Sequence, residues 1–509
     1  MSGRIFSHGF YGLRACLLYL LLAVPAYAAG VQIFIAGDST AATYQQPDQQ
    51  GWGALLADYI DAEKAQVHNL ARGGRSSRTF ITEGLWQSLV DQVKAGDIVI
   101  IQFGHNDASR INDDSRARGT LPGIGDESVA IDNLLTGQPE TVYTYGHYLR
   151  QMIRDVQARD ATPVLMSLTR SNVWQDGRLL RNGDYGRWAY ELALEFNLPF
   201  VDLNNLVADR LEALGQEKTA ALYPKDNTHF NPEGALIHVE TAVSAFRGLR
   251  PDIFGPLLND KGLALEKDET TWLRLPMPAN ANLRSVFLIG DSTVRNGAGD
   301  GGNGEWGWGD FLQQHLDGKK INVVNRAVGG LSSRTFYTGV YWKRTLNMMR
   351  PGDILVMQFG HNDAGPINDD SRARGTLRGT ADNEEFIHNQ LTGKPETVYS
   401  YGGYLRRFIG EARARGIQVV VCSSVPRKVW KDKKIVRTED AWPQWARDVA
   451  LQSGSSFIDL HHQVAQQYDQ LGAKKVEALF ADERTHTSKA GAELNAQIVA
   501  TSLKPLLGL

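Results

Sequence analysis

The residues whose types suggest chemistry are a serine in Gly37-Asp38-Ser39-Thr40 and a histidine far downstream in Asp226-Asn227-Thr228-His229. A serine hydroxyl is a poor nucleophile at neutral pH and needs a base within hydrogen-bond reach. His229 can supply that base. Asp226, three residues earlier, can reach the other ring nitrogen across one tight turn and fix its tautomer. Acyl transfer also needs donors placed in advance for the oxyanion. The candidates are the backbone N–H of Ser39, the backbone N–H of Gly74 and the side-chain amide of Asn106 in Gly104-His105-Asn106-Asp107. Glycine suits position 74 because the backbone there must approach a substrate closely. Each piece alone is an ordinary turn; the ordered set points to a serine esterase.

Elements must carry these turns to one place. Residues 31–36, 97–103, 163–168 and 199–202 are short apolar runs, and those at 97–103 and 163–168 are nearly continuous, as in strands buried on both faces. Between them, residues 52–60, 143–158 and 188–195 have helical spacing, and Asn231-Pro232 suits the start of another helix. Strands alternating with helices predict a parallel sheet between two helix layers, with ligands bound beyond the carboxyl ends of the strands. The Ser39 and Asn106 turns directly follow such runs.

The pattern occurs twice. Residues 111–121 recur letter for letter at 367–377, and residues 103–108 (Phe-Gly-His-Asn-Asp-Ala) recur at 359–364. Gly37-Asp38-Ser39-Thr40 returns as Gly290-Asp291-Ser292-Thr293, with a longer glycine-rich stretch at 297–304 absorbing the difference in spacing. A period this long marks whole duplicated domains rather than a solenoid. The expected division is a leader at 1–28, a first domain at 29–255, an aperiodic linker at 256–283 and a second domain at 284–509.

The order and spelling of these turns resemble the SGNH, or GDSL-like, hydrolase superfamily over essentially all of both domains. Gly37-Asp38-Ser39-Thr40, Gly51-Trp52-Gly53, Gly74-Arg75-Ser76, residues 103–107 and Asp226-Asn227-Thr228-His229 are similar to the rhamnogalacturonan acetylesterases of carbohydrate esterase family 12. The resemblance implies two tandem flavodoxin-like three-layer α/β/α domains and removal of O-acetyl groups from pectic rhamnogalacturonan. It implies no metal and no other cofactor. Carried over position by position, it gives the second domain Ser292 as nucleophile and oxyanion donor, Gly330 and Asn362 as further donors, and His486 as base. In Ala481-Asp482-Glu483-Arg484-Thr485-His486, Glu483 stands where the first domain has Asp226, with Asp482 as the alternative. Leu331 replaces Arg75. Acetylated xylan or another acetylated glycan is the alternative substrate. The Glu483 departure also leaves open that the second domain is a glycan-binding module with weak catalysis.

A galacturonate-bearing chain calls for cations near the serine. Arg75, Arg78, Arg116, Arg118 and Arg170 fall in or near the active-edge loops, with Arg334, Arg372, Arg374 and Arg427 as approximate counterparts of the last four. For any one of them, bonding to loop carbonyls or to nearby aspartates is the competing role. Trp174 and Trp430 could stack on a sugar face or pack in the core. Trp52 and Trp308 suit packing, and His105 and His361 suit shaping the asparagine loop.

Composition supports this reading. Hydrophobic residues at 42% and charged residues at 22% are globular proportions, and a net charge of −3 offers no global field for nucleic acid or anionic membrane. Arg4 and Arg14 precede the apolar residues 15–24 and an A-x-A site ending at Ala28, the pattern of a cleaved secretory signal. A periplasmic or secreted protein, free of the membrane after cleavage and of unknown oligomeric state, is expected. Past residue 28 only Cys422 remains, so no intrachain disulfide can staple the fold.

Overall fold

The computed structural model describes residues 30–181, 183–437 and 441–509. The leader assigned to residues 1–28 lies outside them. Each repeat forms its own parallel sheet. In the first, β1 (Val31–Gly37), β2 (Ala65–Asn69), β3 (Ile98–Gln102), β6 (Thr162–Met166) and β9 (Phe200–Val201) line up in the order β2-β1-β3-β6-β9. Between β3 and β6, β4 (Ser128–Asn133) and β5 (Gln138–Tyr143) form an antiparallel hairpin; β7 (Trp174–Gln175) and β8 (Arg178–Leu179) form a second, smaller one.

The alternation within strands builds the three layers. Ile33, Ile35, Ile100 and Val164 face the helices Leu203–Leu214 and Pro232–Arg247. Phe34, Ala36, Val99 and Ile101 face the helices Tyr145–Gln157 and Asp184–Glu195 on the opposite side. Both faces of β3 are buried, as its unbroken apolar run requires. The helix at 145 is capped by the Thr144 hydroxyl, which accepts from the His147 N–H. The helix at 232 is capped by Asn231, with proline in its first turn.

The second repeat reproduces this plan. β10 (Arg284–Gly290), β11 (Ile321–Asn325), β12 (Ile354–Gln358), β15 (Gln418–Cys422) and β18 (Ser456–Ile458) lie in the order β11-β10-β12-β15-β18. β13 (Glu384–Asn389) pairs with β14 (Lys394–Tyr399), and β16 (Trp430–Lys431) with β17 (Lys434–Ile435). The parallel sheet between two helix layers expected from the sequence is present in both repeats. No helix among the described residues is long and apolar enough to cross a membrane.

The connecting segment is more structured than its sequence suggests. It holds short helical turns at Gly255–Leu257, Asp260–Ala264 and Thr271–Leu273. Leu258 pairs with Ile60 and joins the first core, whereas Leu273 is buried in the second. Its apolar anchors are single and far apart, so they leave no period to read.

Candidate active sites

The carboxyl ends of β1 and β3 lie side by side, with Gly37 in register with Gln102. The chain leaving β1 therefore delivers Ser39 beside the loop that leaves β3 with His105 and Asn106. Three further features hold this edge. Asp38 Oδ1 accepts from the Thr40 N–H at 2.9 Å and hydroxyl at 2.8 Å, tightening the serine turn. The Trp52 indole donates to Gln102 Oε1 at 2.6 Å, so this tryptophan packs beneath the site rather than lining it. Asp107 accepts from the hydroxyl and N–H of Ser77 and ties the asparagine loop to the start of the helix Ser77–Thr82.

The histidine arrives from the far end of the repeat, on the loop before the helix at 232. His229 Nε2 is 2.8 Å from Ser39 Oγ, and its Nδ1 is 2.7 Å from Asp226 Oδ2. The other Asp226 oxygen accepts from the N–H groups of Thr228 and His229, both at 2.7 Å. Burial alone would raise the Asp226 carboxyl, but these hydrogen bonds and the His229 ring outweigh it and hold its pKa below the usual range. The carboxylate thus stays ionised opposite Nδ1. That fixes the tautomer in which Nε2 accepts the serine proton.

The groups expected to donate to an oxyanion have hydrogens to spare. The backbone N–H groups of Ser39 and Gly74 donate to no acceptor among the described residues. Gly74 has φ +78°, a conformation that glycine adopts without strain. Asn106 is buried and spends one amide hydrogen on the Arg75 carbonyl at 2.9 Å, leaving the other available. Arg118 donates to the Gly74 carbonyl at 3.0 Å and steadies that peptide.

The second repeat assembles the same parts with one substitution of role. Ser292 Oγ lies 3.0 Å from His486 Nε2, Gly330 has φ +84°, and Asn362 donates to the Leu331 carbonyl at 2.9 Å. The carboxylate at His486 Nδ1 is Asp482, at 2.7 Å, and not Glu483. Glu483 is exposed and makes no hydrogen bond to the ring. The turn here has one more residue than in the first repeat, so the acid sits four positions before the histidine instead of three. Asp482 Oδ1 accepts from the N–H groups of Arg484, Thr485 and His486, which pins the longer turn. A second carboxylate, Glu305, stands 3.5 Å from His486 Nδ1. Nothing local in the sequence signals it, because it lies 181 positions away, at the end of the glycine-rich insertion.

The expected substrate-facing residues divide. Arg78 and Arg334 are buried in ion pairs with Glu140 and Glu396 and face no cleft. Arg75 is half-exposed and bonded to Glu83 and the Gly73 carbonyl. Arg170 is buried, with Nε and one terminal nitrogen unpartnered, and burial pushes its pKa down to about 10. Arg427 is not its structural counterpart. The Val429 N–H bonds the Arg427 carbonyl as the Val173 N–H bonds that of Ser171, so Pro426 stands at the Arg170 position. Trp174 is half-buried, bonds Asn172 through its indole at 2.6 Å and packs on the first core; Trp430 is half-buried against the second. His105 Nε2 meets the Thr169 hydroxyl at 2.9 Å and serves to shape its loop.

The sequence profile of the GDSL-like lipase/acylhydrolase family matches residues 35–237 and again 288–494. Among curated proteins, a rhamnogalacturonan acetylesterase of Emericella nidulans is 34% identical over 42% of this chain and 83% of its own length. A probable rhamnogalacturonan acetylesterase of Bacillus subtilis is 32% identical over 40% of this chain and 86% of its own. A second Bacillus subtilis rhamnogalacturonan acetylesterase is 29% identical over 40% and 85%.

Proposed function

The chain belongs to the GDSL-like lipase/acylhydrolase family, and from that premise we propose that it is a carbohydrate O-acetylesterase that deacetylates pectic rhamnogalacturonan. The observation that carries the chemistry is the unbroken relay Ser39–His229–Asp226 beside two free backbone amides.

Ser39 Oγ attacks the acetyl carbonyl carbon while His229 Nε2 takes its proton. The tetrahedral oxyanion is met by the N–H groups of Ser39 and Gly74 and by the Asn106 amide. Collapse expels the sugar alkoxide, which takes the proton from His229 Nε2 and departs as the hydroxyl. A water deprotonated by the same nitrogen then attacks the acetyl-serine, and acetate leaves as Ser39 regains its proton. Ser292, His486 and Asp482 repeat the sequence in the second domain, with Gly330 and Asn362 as donors.

The names of the curated relatives support rhamnogalacturonan as the polymer. Arg116 and Arg118, on the loop beside Gly74, supply cations suited to uronate carboxylates. The leader pattern at 1–28 supports export, which the amino-terminal sequence of the mature protein tests. Acetate release from acetylated rhamnogalacturonan and acetylated xylan tests the activity. Wild type should prefer the pectic polymer, Ser39→Ala and Ser292→Ala should each retain part of the rate, and the double variant should retain none above background. A double variant that still releases acetate rules the mechanism out; a preference for xylan rules out the polymer assignment.

A further inference from the structure

The second active site presents two carboxylates to one imidazole nitrogen. Asp482 Oδ2 is 2.7 Å from His486 Nδ1 and Glu305 Oε1 is 3.5 Å from it. Among the described residues the first site has one such group, Asp226. In each repeat the residue directly before a Gly-Trp-Gly turn, Gly51-Trp52-Gly53 or Gly307-Trp308-Gly309, is anchored beside the histidine loop. The Gln50 N–H donates to the Phe230 carbonyl at 3.0 Å, and the Trp306 N–H to the Thr487 carbonyl at 2.9 Å. These bonds set Gln49 and Glu305 at matching places. Gln49 is neutral and accepts from Lys225 at 3.4 Å. Glu305 is an acid turned to the ring.

Glu305 is not a loose surface acid. The Thr487 hydroxyl donates to the Trp306 carbonyl at 2.8 Å, closing a two-way clamp between the insertion and the residue after His486. Asn296 donates to Glu305 Oε2 at 2.5 Å, which leaves Oε1 to face Nδ1. Asp482, by contrast, sits in the longer turn with three backbone N–H groups sharing its Oδ1.

We propose that Glu305 is a positioning residue of the second active site, a reserve carboxylate that keeps the proton of His486 on Nδ1 and makes this site tolerant of changes at Asp482. This rests on the esterase reading of Ser292 and His486. A neutral imidazole has one Nδ1 proton to donate, and Asp482 takes it in the resting geometry. When His486 receives the serine proton, the imidazolium lies between two anions. If Asp482 becomes asparagine, the amide oxygen keeps its three backbone donors and its NH2 faces Nδ1, which favours the wrong tautomer. Glu305 Oε1 opposes that flip, whereas in the first domain nothing comparable opposes it after Asp226→Asn.

The test uses the full-length chain with one serine silenced. With Ser292→Ala as background, Asp226→Asn should lower kcat about 10⁴-fold, the scale of losing a triad aspartate. With Ser39→Ala as background, Asp482→Asn should lose at least a hundredfold less, and Asp482→Asn with Glu305→Gln should fall to the level of Asp226→Asn. KM should stay constant through the series. Labelling of Ser292 by a fluorophosphonate should follow the same order. That reagent reports serine activation without any carbohydrate, so a wrong polymer leaves this readout intact. Equal losses for Asp226→Asn and Asp482→Asn would overturn the proposal, as would a double variant no slower than Asp482→Asn alone. An otherwise unchanged Ser39→Ala protein whose Ser292 is neither labelled nor active would overturn it too. Circular dichroism and thermal unfolding separate these outcomes from misfolding: a variant that unfolds is replaced by Glu305→Ala in the same background, read in the same way.

Discussion

Arg78 and Glu140 meet as two parallel forks, Nε to Oε1 at 2.6 Å and Nη2 to Oε2 at 2.5 Å, with the arginine 1% exposed. The third nitrogen of Arg78 donates to the carbonyls of Ile111 and Gly119 at 2.7 and 2.8 Å. One side chain thus fastens the hairpin β4–β5 and the 111–119 loop to the helix that follows Gly74. Arg334 does the same with Glu396, Ile367 and Gly375.

Arg78→Ala should therefore cost stability first. Removing one partner of a buried pair leaves the other charge uncompensated, at about 3–5 kcal/mol. Arg78→Lys should recover little of it, because an ammonium cannot reproduce the planar fork. Urea unfolding measures both. A variant of wild-type stability but raised KM would instead make Arg78 a substrate residue.

Asn106→Ala should remove one oxyanion donor while leaving Ser39 and His229 in place. In the Ser292→Ala background the loss in kcat should be about 10²–10³-fold with little change in KM, because the contact strengthens only as charge develops. Steady-state kinetics on a small acetyl ester suffices. A KM effect alone would mean the amide binds ground-state substrate. The Arg75 carbonyl, which now accepts from Asn106 at 2.9 Å, loses that donor too, so thermal unfolding belongs beside the kinetics.

Much of this site could be read before any coordinates, for physical reasons. Runs such as Ile98–Gln102 are too apolar to face water on either side, which fixes both the strand and its place in the sheet. A carboxylate three residues before a histidine can reach its ring within one turn, so Asp226 was legible. The same rule misled at position 483, because an added residue moves the reachable acid to Asp482. Glu305 was beyond reach, since its approach to His486 depends on tertiary pairing of Trp306 with Thr487. The hairpin β4–β5 is not marked in the sequence: its strands are largely exposed, and the alternation of Val129 and Ile131 in β4 is too short to signal a strand. Arg78, Arg170 and Trp174 had types that suit a glycan, but which face they meet depends on packing that sequence spacing does not encode.

Asp107 should make the first domain less stable as pH rises through the weakly acidic range. Burial pushes its carboxyl up to about 7, Ser77 offsetting only part of this and the nearby Asp38 charge adding to it. An unfolded aspartate releases its proton near pH 3.9. Between about pH 4 and 7 the folded chain therefore holds a proton that the unfolded chain has lost, and stability falls as pH rises, levelling off above 7. Asp363 is pushed up to about 7 in the same way, so the second domain shares the effect. Asp107→Asn with Asp363→Asn keeps the acceptor for the serine hydroxyls and removes the titration. The stability difference between this variant and wild type should change steadily from pH 4 to 7, and a flat difference would contradict the assignment.

Arg344 should hold the connector and both domains together. It lies on the second-domain helix Val340–Met348, with Nη2 2.9 Å from Asp268 Oδ2 in the connector and Nε 3.4 Å from Asp209 Oδ2 on the first-domain helix Leu203–Leu214. Burial would raise the Asp268 carboxyl, but Arg344 outweighs it and leaves the pKa below the usual range. Arg344→Leu strands the buried Asp268 carboxylate, while Asp209 keeps Arg181 at 2.7 Å, and should cost about 3–5 kcal/mol at neutral pH. It should also open the connector to protease without abolishing either active site. The depressed carboxyl contributes stability above its unfolded pKa near 3.9, and that contribution disappears as pH falls through the lower folded value. Wild type and Asp268→Asn should therefore differ most near neutrality and converge below about pH 4, as measured by thermal unfolding. If the gap persists undiminished at acid pH, the Arg344–Asp268 charge pair is not what holds the connector.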